Sequence, residues 1–197
     1  FEAESPARSA SRGVAAPAPG RVFLATDDDS FDSSGALFES NDGGASWMQR
    51  DVPFDLSSGL WGISFFDAQH GWVWGNVNYR TTDGGTTWEE LPPLGSAYFM
   101  EFSSLSFGVA TGNFGVYVSR DGGLSWAPSP NGMSAFSFAD ELTGLGVAAS
   151  GLYRTTDGGA TFALVQAGVA DAVAFLSSTV AVGIVDGNLV RSADGGV

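Results

Sequence analysis

One phrase recurs along the chain and constrains what it can fold into: Ser40-Asn41-Asp42-Gly43-Gly44-Ala45-Ser46-Trp47, then Thr81-Thr82-Asp83-Gly84-Gly85-Thr86-Thr87-Trp88. It returns as Ser119-Arg120-Asp121-Gly122-Gly123-Leu124-Ser125-Trp126, as Thr155-Thr156-Asp157-Gly158-Gly159-Ala160-Thr161-Phe162, and in a shorter form over Ser192-Ala193-Asp194-Gly195-Gly196-Val197. Successive aspartates stand 41, 38, 36 and 37 residues apart. A period of that length marks a repeat architecture, in which a single unit cannot bury its own apolar face and stacks on its neighbours.

Within a repeat the pattern is of short strands separated by turns. The second unit predicts strands at Trp61 to Phe66, Gly71 to Trp74, Tyr79 to Thr82 and Trp88 to Leu91, with the turn Asp67-Ala68-Gln69-His70 after the first. The fourth unit gives Met133 to Phe138, Gly144 to Ala148, Leu152 to Thr155 and Phe162 to Val165; the fifth gives Ala172 to Leu176, Val180 to Ile184 and Leu189 to Ser192. The first gives Arg12 to Ala16, Arg21 to Thr26, Ala36 to Ser40 and Trp47 to Val52, with a turn at Pro17 to Gly20. Four strands per unit at this period suit the blades of an all-β propeller, about five of them in this chain. They form a ring of their own or a stretch of a larger one. Residues 1–11 are then an N-terminal tail or a closing strand, with Phe1 to Ser5 available to complete the last unit, and residues 12–197 carry the repeats.

The phrase has a structural logic. Asp-Gly-Gly supplies the positive backbone dihedrals of a tight turn, and the carboxylate accepts hydrogen bonds from the turn's own amides and from the flanking hydroxyls. On this reading Asp42, Asp83, Asp121, Asp157 and Asp194 are structural, while Trp47, Trp88, Trp126 and Phe162 fill the seams between neighbouring sheets. Trp72 and Trp74, two apart on one strand, share a side and suit packing between sheets, with carbohydrate stacking as the alternative.

Composition removes several function classes. With 22 acidic residues against 8 basic ones, all arginine, the formal charge of −14 repels phosphate backbones and anionic lipid headgroups, so no nucleic-acid partner is expected. The chain has no cysteine and a single histidine, His70, which removes thiol chemistry and multi-histidine zinc cages; no cofactor or metal is expected. The longest apolar stretch, Gly168 to Val185, is interrupted by Asp171 and by Ser177-Ser178-Thr179, so no transmembrane segment is expected. The sequence starts at Phe1 and stops inside a fifth copy of the phrase, which suggests one piece of a larger secreted, periplasmic or cell-surface protein, a part of a larger assembly.

The phrase resembles the Asp-box, or bacterial neuraminidase repeat, with its spacing S/T-x-D-x-G-x-T/S-W/F. A narrower resemblance lies upstream of the boxes: Phe65-Phe66-Asp67, His70-Gly71-Trp72-Val73-Trp74-Gly75 and Arg80-Thr81-Thr82-Asp83, echoed by Phe138-Ala139-Asp140, Gly144 to Val147 and Arg154 to Asp157. These segments resemble bacterial relatives of the photosystem II assembly and stability factor. That resemblance implies a seven-bladed propeller that binds a membrane-protein partner without catalysis, through an arginine-rich surface that this acidic chain does not share.

Turns alternate between the two faces of a blade, so the Asp-box turns share a face with the strand one-to-two turns. The opposite face carries Asp27-Asp28-Asp29-Ser30-Phe31-Asp32, Asn76-Val77-Asn78, Gly112-Asn113-Phe114, Ser150-Gly151 and Asp186-Gly187-Asn188. Loops on a rigid scaffold commonly carry recognition, which makes Asp27, Asp29, Phe31, Asp32, Asn76, Asn78, Asn113, Phe114, Asp186 and Asn188 the candidate binding residues. Asp27, Asp29 and Asp32 also present oxygens of the kind calcium takes, and equally suit a solvated acidic loop.

The enzyme alternative is an Asp-box glycoside hydrolase, sialidase-like or xyloglucanase-like. Sialidases hold a substrate carboxylate with three arginines; here Arg80, Arg154 and Arg191 each lie three residues before a box aspartate, toward the Asp-box face and away from that family's site. No catalytic residue is assigned. A noncatalytic recognition or assembly module with a protein or glycan partner is the preferred reading.

Overall fold

The computed structural model describes residues 10–27, 35–53, 59–94, 97–112, 115–129 and 133–196. Every regular element among them is a strand. Phe1 to Ser5, the expected closing strand, lies outside the described residues.

The first sheet contains β1 (Ala10–Ala18), β2 (Arg21–Asp27), β3 (Ala36–Ser40) and β4 (Met48–Gln49), in that order. The second contains β5 (Leu60–Phe65), β6 (Gly71–Gly75), β7 (Asn78–Thr81) and β8 (Glu89–Leu91). The third comprises β9 (Ala97–Phe102), β10 (Gly108–Gly112), β11 (Gly115–Ser119) and β12 (Ala127–Pro128). The fourth comprises β13 (Ala135–Phe138), β14 (Gly144–Ala148), β15 (Gly151–Thr155) and β16 (Ala163–Ala167). The fifth has β17 (Ala170–Phe175), β18 (Ala181–Val185) and β19 (Asn188–Ser192). Each sheet therefore follows chain order, as successive hairpins require, and the strand pairs are antiparallel with registers such as Trp72↔Arg80 and Leu145↔Arg154.

Strand positions agree with the sequence pattern closely, and the differences have local causes. The fourth strands begin after the box aromatic, because Trp47, Trp88 and Phe162 sit in the turn rather than on a strand, which leaves β4 only two residues long. Pro17 falls inside β1, not in a turn; a register shift between Ala15 and Ala18 marks an irregularity there, where the missing proline amide proton is tolerated.

The chain divides into two compact units, Phe1–Leu105 and Ser106–Val197. In the first, Phe23, Ala25 and Leu37 of the first sheet form one apolar cluster with Leu60, Ile63, Val73, Tyr79 and Trp88 of the second. Strand β6 is buried along its whole length, as expected of a middle strand covered on both faces. A glycine of the paired strand has a packing reason: a Cβ on Gly62 would overlap the Trp74 indole, so the ring lies directly on the β5 backbone. Trp72 stacks on Phe102 with centroids 3.7 Å apart and planes within 6°. In the second unit, Phe107, Val109, Val116, Val118, Met133 and Ala148 form one cluster, and Val147, Leu152, Ala170 and Val185 another. Strand β16 is exposed throughout, the mark of an outermost strand.

Candidate functional site

The Asp-box turns share one geometry. In the second sheet Thr81 Oγ1 donates to Asp83 Oδ1 at 2.8 Å and accepts the Gly85 amide at 2.7 Å. The same carboxylate accepts the Thr87 amide at 2.8 Å and, on its other oxygen, the Thr87 hydroxyl at 2.6 Å. Gly84 and Gly85 hold φ of 73° and 84°, values that side-chain-bearing residues rarely adopt. Ser40, Asp42 and Ser46 repeat the arrangement in the first sheet, Ser119, Asp121 and Ser125 in the third, and Thr155, Asp157 and Thr161 in the fourth. In the fifth, Ser192 Oγ donates to Asp194 and accepts the Gly196 amide.

These donors lower the carboxyl pKa values. The Ser46 hydroxyl and amide hold Asp42 at about 2, and the Thr87 hydroxyl and amide do the same for Asp83. Asp157 is held at about 2 by the hydroxyl and amide of Thr161. A carboxylate so engaged is a poor proton acceptor at neutral pH, so chemically it is a turn fastener.

The arginines on this face serve the same end. Arg21 donates from Nη2 to the Gly84 carbonyl at 2.5 Å and from Nε to the buried Glu39 at 2.7 Å. Arg120 reaches the carbonyls of Asp157 and Gly158, each at 2.9 Å, and Arg154 Nε reaches the Gly195 carbonyl at 2.9 Å. In each case a cation on one sheet binds the Asp-Gly-Gly carbonyls of the next. Arg80 instead pairs with Glu89 across strands β7 and β8 at 2.8 Å. These clamps were not apparent in the sequence, because the three arginines occupy different positions relative to their own boxes.

His70 completes a strand one-to-two turn. Its Nδ1 lies 2.9 Å from both oxygens of Asp67, whose Oδ1 also accepts the Gln69 and His70 amides. Those two amides and the imidazole hold the Asp67 pKa below the ordinary carboxylate value. Asp140 repeats the turn, accepting the Leu142 and Thr143 amides.

On the opposite face the candidate residues are treated unequally. Asn76 is exposed in the β6–β7 turn, whereas Asn78 is 1% exposed within β7 and its amide atoms have no hydrogen-bond partner. Asp186, at φ 51°, accepts the Val169 amide at 2.8 Å, and its own amide donates to the Val169 carbonyl at 2.7 Å. Asn188 is exposed and donates to the Asp186 carbonyl. In the β14–β15 turn Ser150 and Tyr153 hydroxyls meet at 2.6 Å. Asp27 ends β2; Asp29, Phe31, Asp32, Asn113 and Phe114 lie outside the described residues. The repeat pattern carries no mark of the stacked pair of Trp61 on β5 and Tyr98 on β9, 6.2 Å apart with Tyr98 58% exposed.

The BNR/Asp-box repeat family matches residues 79–90, the turn of the second sheet with its flanking strands. With four-stranded sheets built on such turns, the fold is decided. The fold is that of a β-propeller carrying Asp-box turns. The propeller is similar to a xyloglucanase of Paenibacillus sp, 28% identical over 169 residues, covering 75% of this chain and 15% of the relative. It is also similar to the photosystem II assembly lipoprotein Ycf48 of Synechococcus sp. (strain CC9902), 34% identical over 106 residues, covering 49% of this chain and 32% of the relative. A solved structure of Ycf48 bound to D1 peptide superposes with a TM-score of 0.65 at 18% identity, covering 94% of this chain and 65% of that one. The propeller thus spans less than a third of either relative's length. No helix among the described residues is long and apolar enough to cross a membrane.

Proposed function

We propose that this propeller is a noncatalytic, exported recognition module that binds a protein partner through the turns opposite its Asp-boxes, in the manner of an assembly factor. The observation that carries the reading is the 34% identity with an assembly lipoprotein. Support comes from the chemistry of the box face, where the carboxylates and Arg21, Arg120 and Arg154 are spent on internal hydrogen bonds. Recognition then falls to exposed side chains at the opposite turns, among them Asn76 and Asn188, the latter at the first position of β19, with Asp186 shaping its turn. A lipoprotein relative supports a setting outside the cytoplasm.

A second reading follows from the xyloglucanase similarity and the stack of half-buried Trp61 on exposed Tyr98, since paired aromatic faces suit sugar rings. The test is affinity capture from the exported fraction of the source organism, alongside a glycan screen with a reducing-sugar assay. A stoichiometric protein complex weakened by N76A/N188A supports recognition of protein. Release of sugar from xyloglucan, abolished by changing one carboxylate such as Asp186, would replace it with the enzyme reading.

A further inference from the structure

Aligned on the box aspartate, the third strands of the five sheets carry Leu37, Asn78, Val116, Leu152 and Leu189 at the same position, five residues upstream. The residue across the ladder is Ala25 in the first sheet, Thr111 in the third, Val147 in the fourth and Ile184 in the fifth. In the second sheet Trp72 stands opposite Arg80 and Val73 opposite Tyr79, so the next position in that register sets Trp74 beside Asn78. Only this sheet places a nitrogen-bearing side chain at either position. Both are buried, Asn78 at 1% and Trp74 at 5% exposure. They share the face from which Trp72 stacks on Phe102, so they lie between the second sheet and β9. Gly62 and Leu91, the neighbours on either side of the pair, bring no polar side chain to it. Among the described residues, neither amide atom of Asn78 nor Nε1 of Trp74 has a hydrogen-bond partner.

We propose that this seam holds an internal water site, framed by the Asn78 amide and the Trp74 indole N–H, beneath the β6–β7 turn that carries Asn76. A carboxamide has two N–H donors and an acceptor oxygen, and the indole adds a further donor. Left unmet in an apolar seam, these groups cost far more than the aliphatic side chains that the matching sheets carry. Water is the ligand whose chemistry fits, because it donates to the amide oxygen and accepts from the amide and indole N–H groups. A metal cation would face the N–H donors, and an anion would leave the amide oxygen unmet. Larger ligands are excluded by the burial of all three atoms. Buried waters typically make about three hydrogen bonds to polar groups that the protein does not otherwise pair. The site ties the first residue of β7 to the seam and so steadies the turn above it. It does not rest on the partner-binding reading, and its test needs no partner.

The probe is water itself, observed by NMR on the isotope-labelled full chain. Rotating-frame Overhauser cross-peaks of dipolar sign are expected between water and both the Asn78 Nδ2 protons and the Trp74 Nε1 proton, with slow hydrogen exchange of that indole. W74F and N78L assign the signals. N78L installs the side chain of the matching sheets and should abolish the water cross-peak of the Trp74 indole, with loss of the corresponding long-lived water from relaxation dispersion. Absence of a water cross-peak at the Asn78 amide of the parent chain overturns the proposal, whatever the variants do. So does a folded N78L chain in which the Trp74 cross-peak persists, because Asn78 would then have no part in holding the water.

Discussion

Arg154 Nε donates to the Gly195 carbonyl at 2.9 Å, joining a strand of the fourth sheet to the box turn of the fifth. Arg120 makes the corresponding contact from the third sheet to the fourth, and Arg21 from the first to the second. The Asp-box is thus both a hairpin turn and a receptor for its neighbour's cation, because a turn held in positive φ directs its carbonyls outward.

Replacing Arg154 by methionine keeps much of the aliphatic stem and removes the donor. A charged hydrogen bond of this kind contributes about 1.5–3 kcal/mol, the lower end being appropriate to a part-buried group. The urea midpoint of R154M should fall accordingly, with circular dichroism unchanged in the native baseline. An unaltered midpoint would show that the clamp contributes nothing.

The box carboxylates make stability acid-sensitive in a defined window. The carboxyls of Asp42, Asp83 and Asp157 are held at about 2 in the folded chain against an ordinary aspartate value of 3.8, so their contribution is fully present above the unfolded value and is lost as pH falls from about 4 toward 2. D83N should lower the Tm at pH 6, and its difference from the parent should shrink as pH approaches 2. A constant difference across that range would remove the carboxylate from the explanation.

Gly62 carries the indole of Trp74 against its backbone, so a methyl group there has no room. G62A should cost about 1–3 kcal/mol by overpacking and shift the tryptophan emission maximum. If G62A leaves both stability and emission unchanged, the close packing of this ring is not a constraint on the sheet.

How much of this was legible in the sequence depended on whether the cause was local. The Asp-Gly-Gly turns, their hydroxyl partners and the strand order follow from residues within eight positions of one another, so the repeat alone predicted them. The extension of β1 across Pro17 depends on its pairing with β2, and the two-residue β4 on its pairing with β3, which periodicity does not report. The Arg21, Arg120 and Arg154 clamps join residues 37 to 63 apart and have no common motif position. The polar run Asn76-Val77-Asn78 predicts a three-residue turn, and the structure places Asn78 inside β7 because the β6–β7 turn is one residue tighter than that run implies.

The claim that recognition uses the turns opposite the boxes is tested most directly by hydrogen–deuterium exchange of the chain with and without the protein it retains. The account predicts slowed exchange at residues 76–77, 150–151 and 186–188, with the box turns at 83–87 and 157–161 unchanged. Protection confined to the box turns would contradict it.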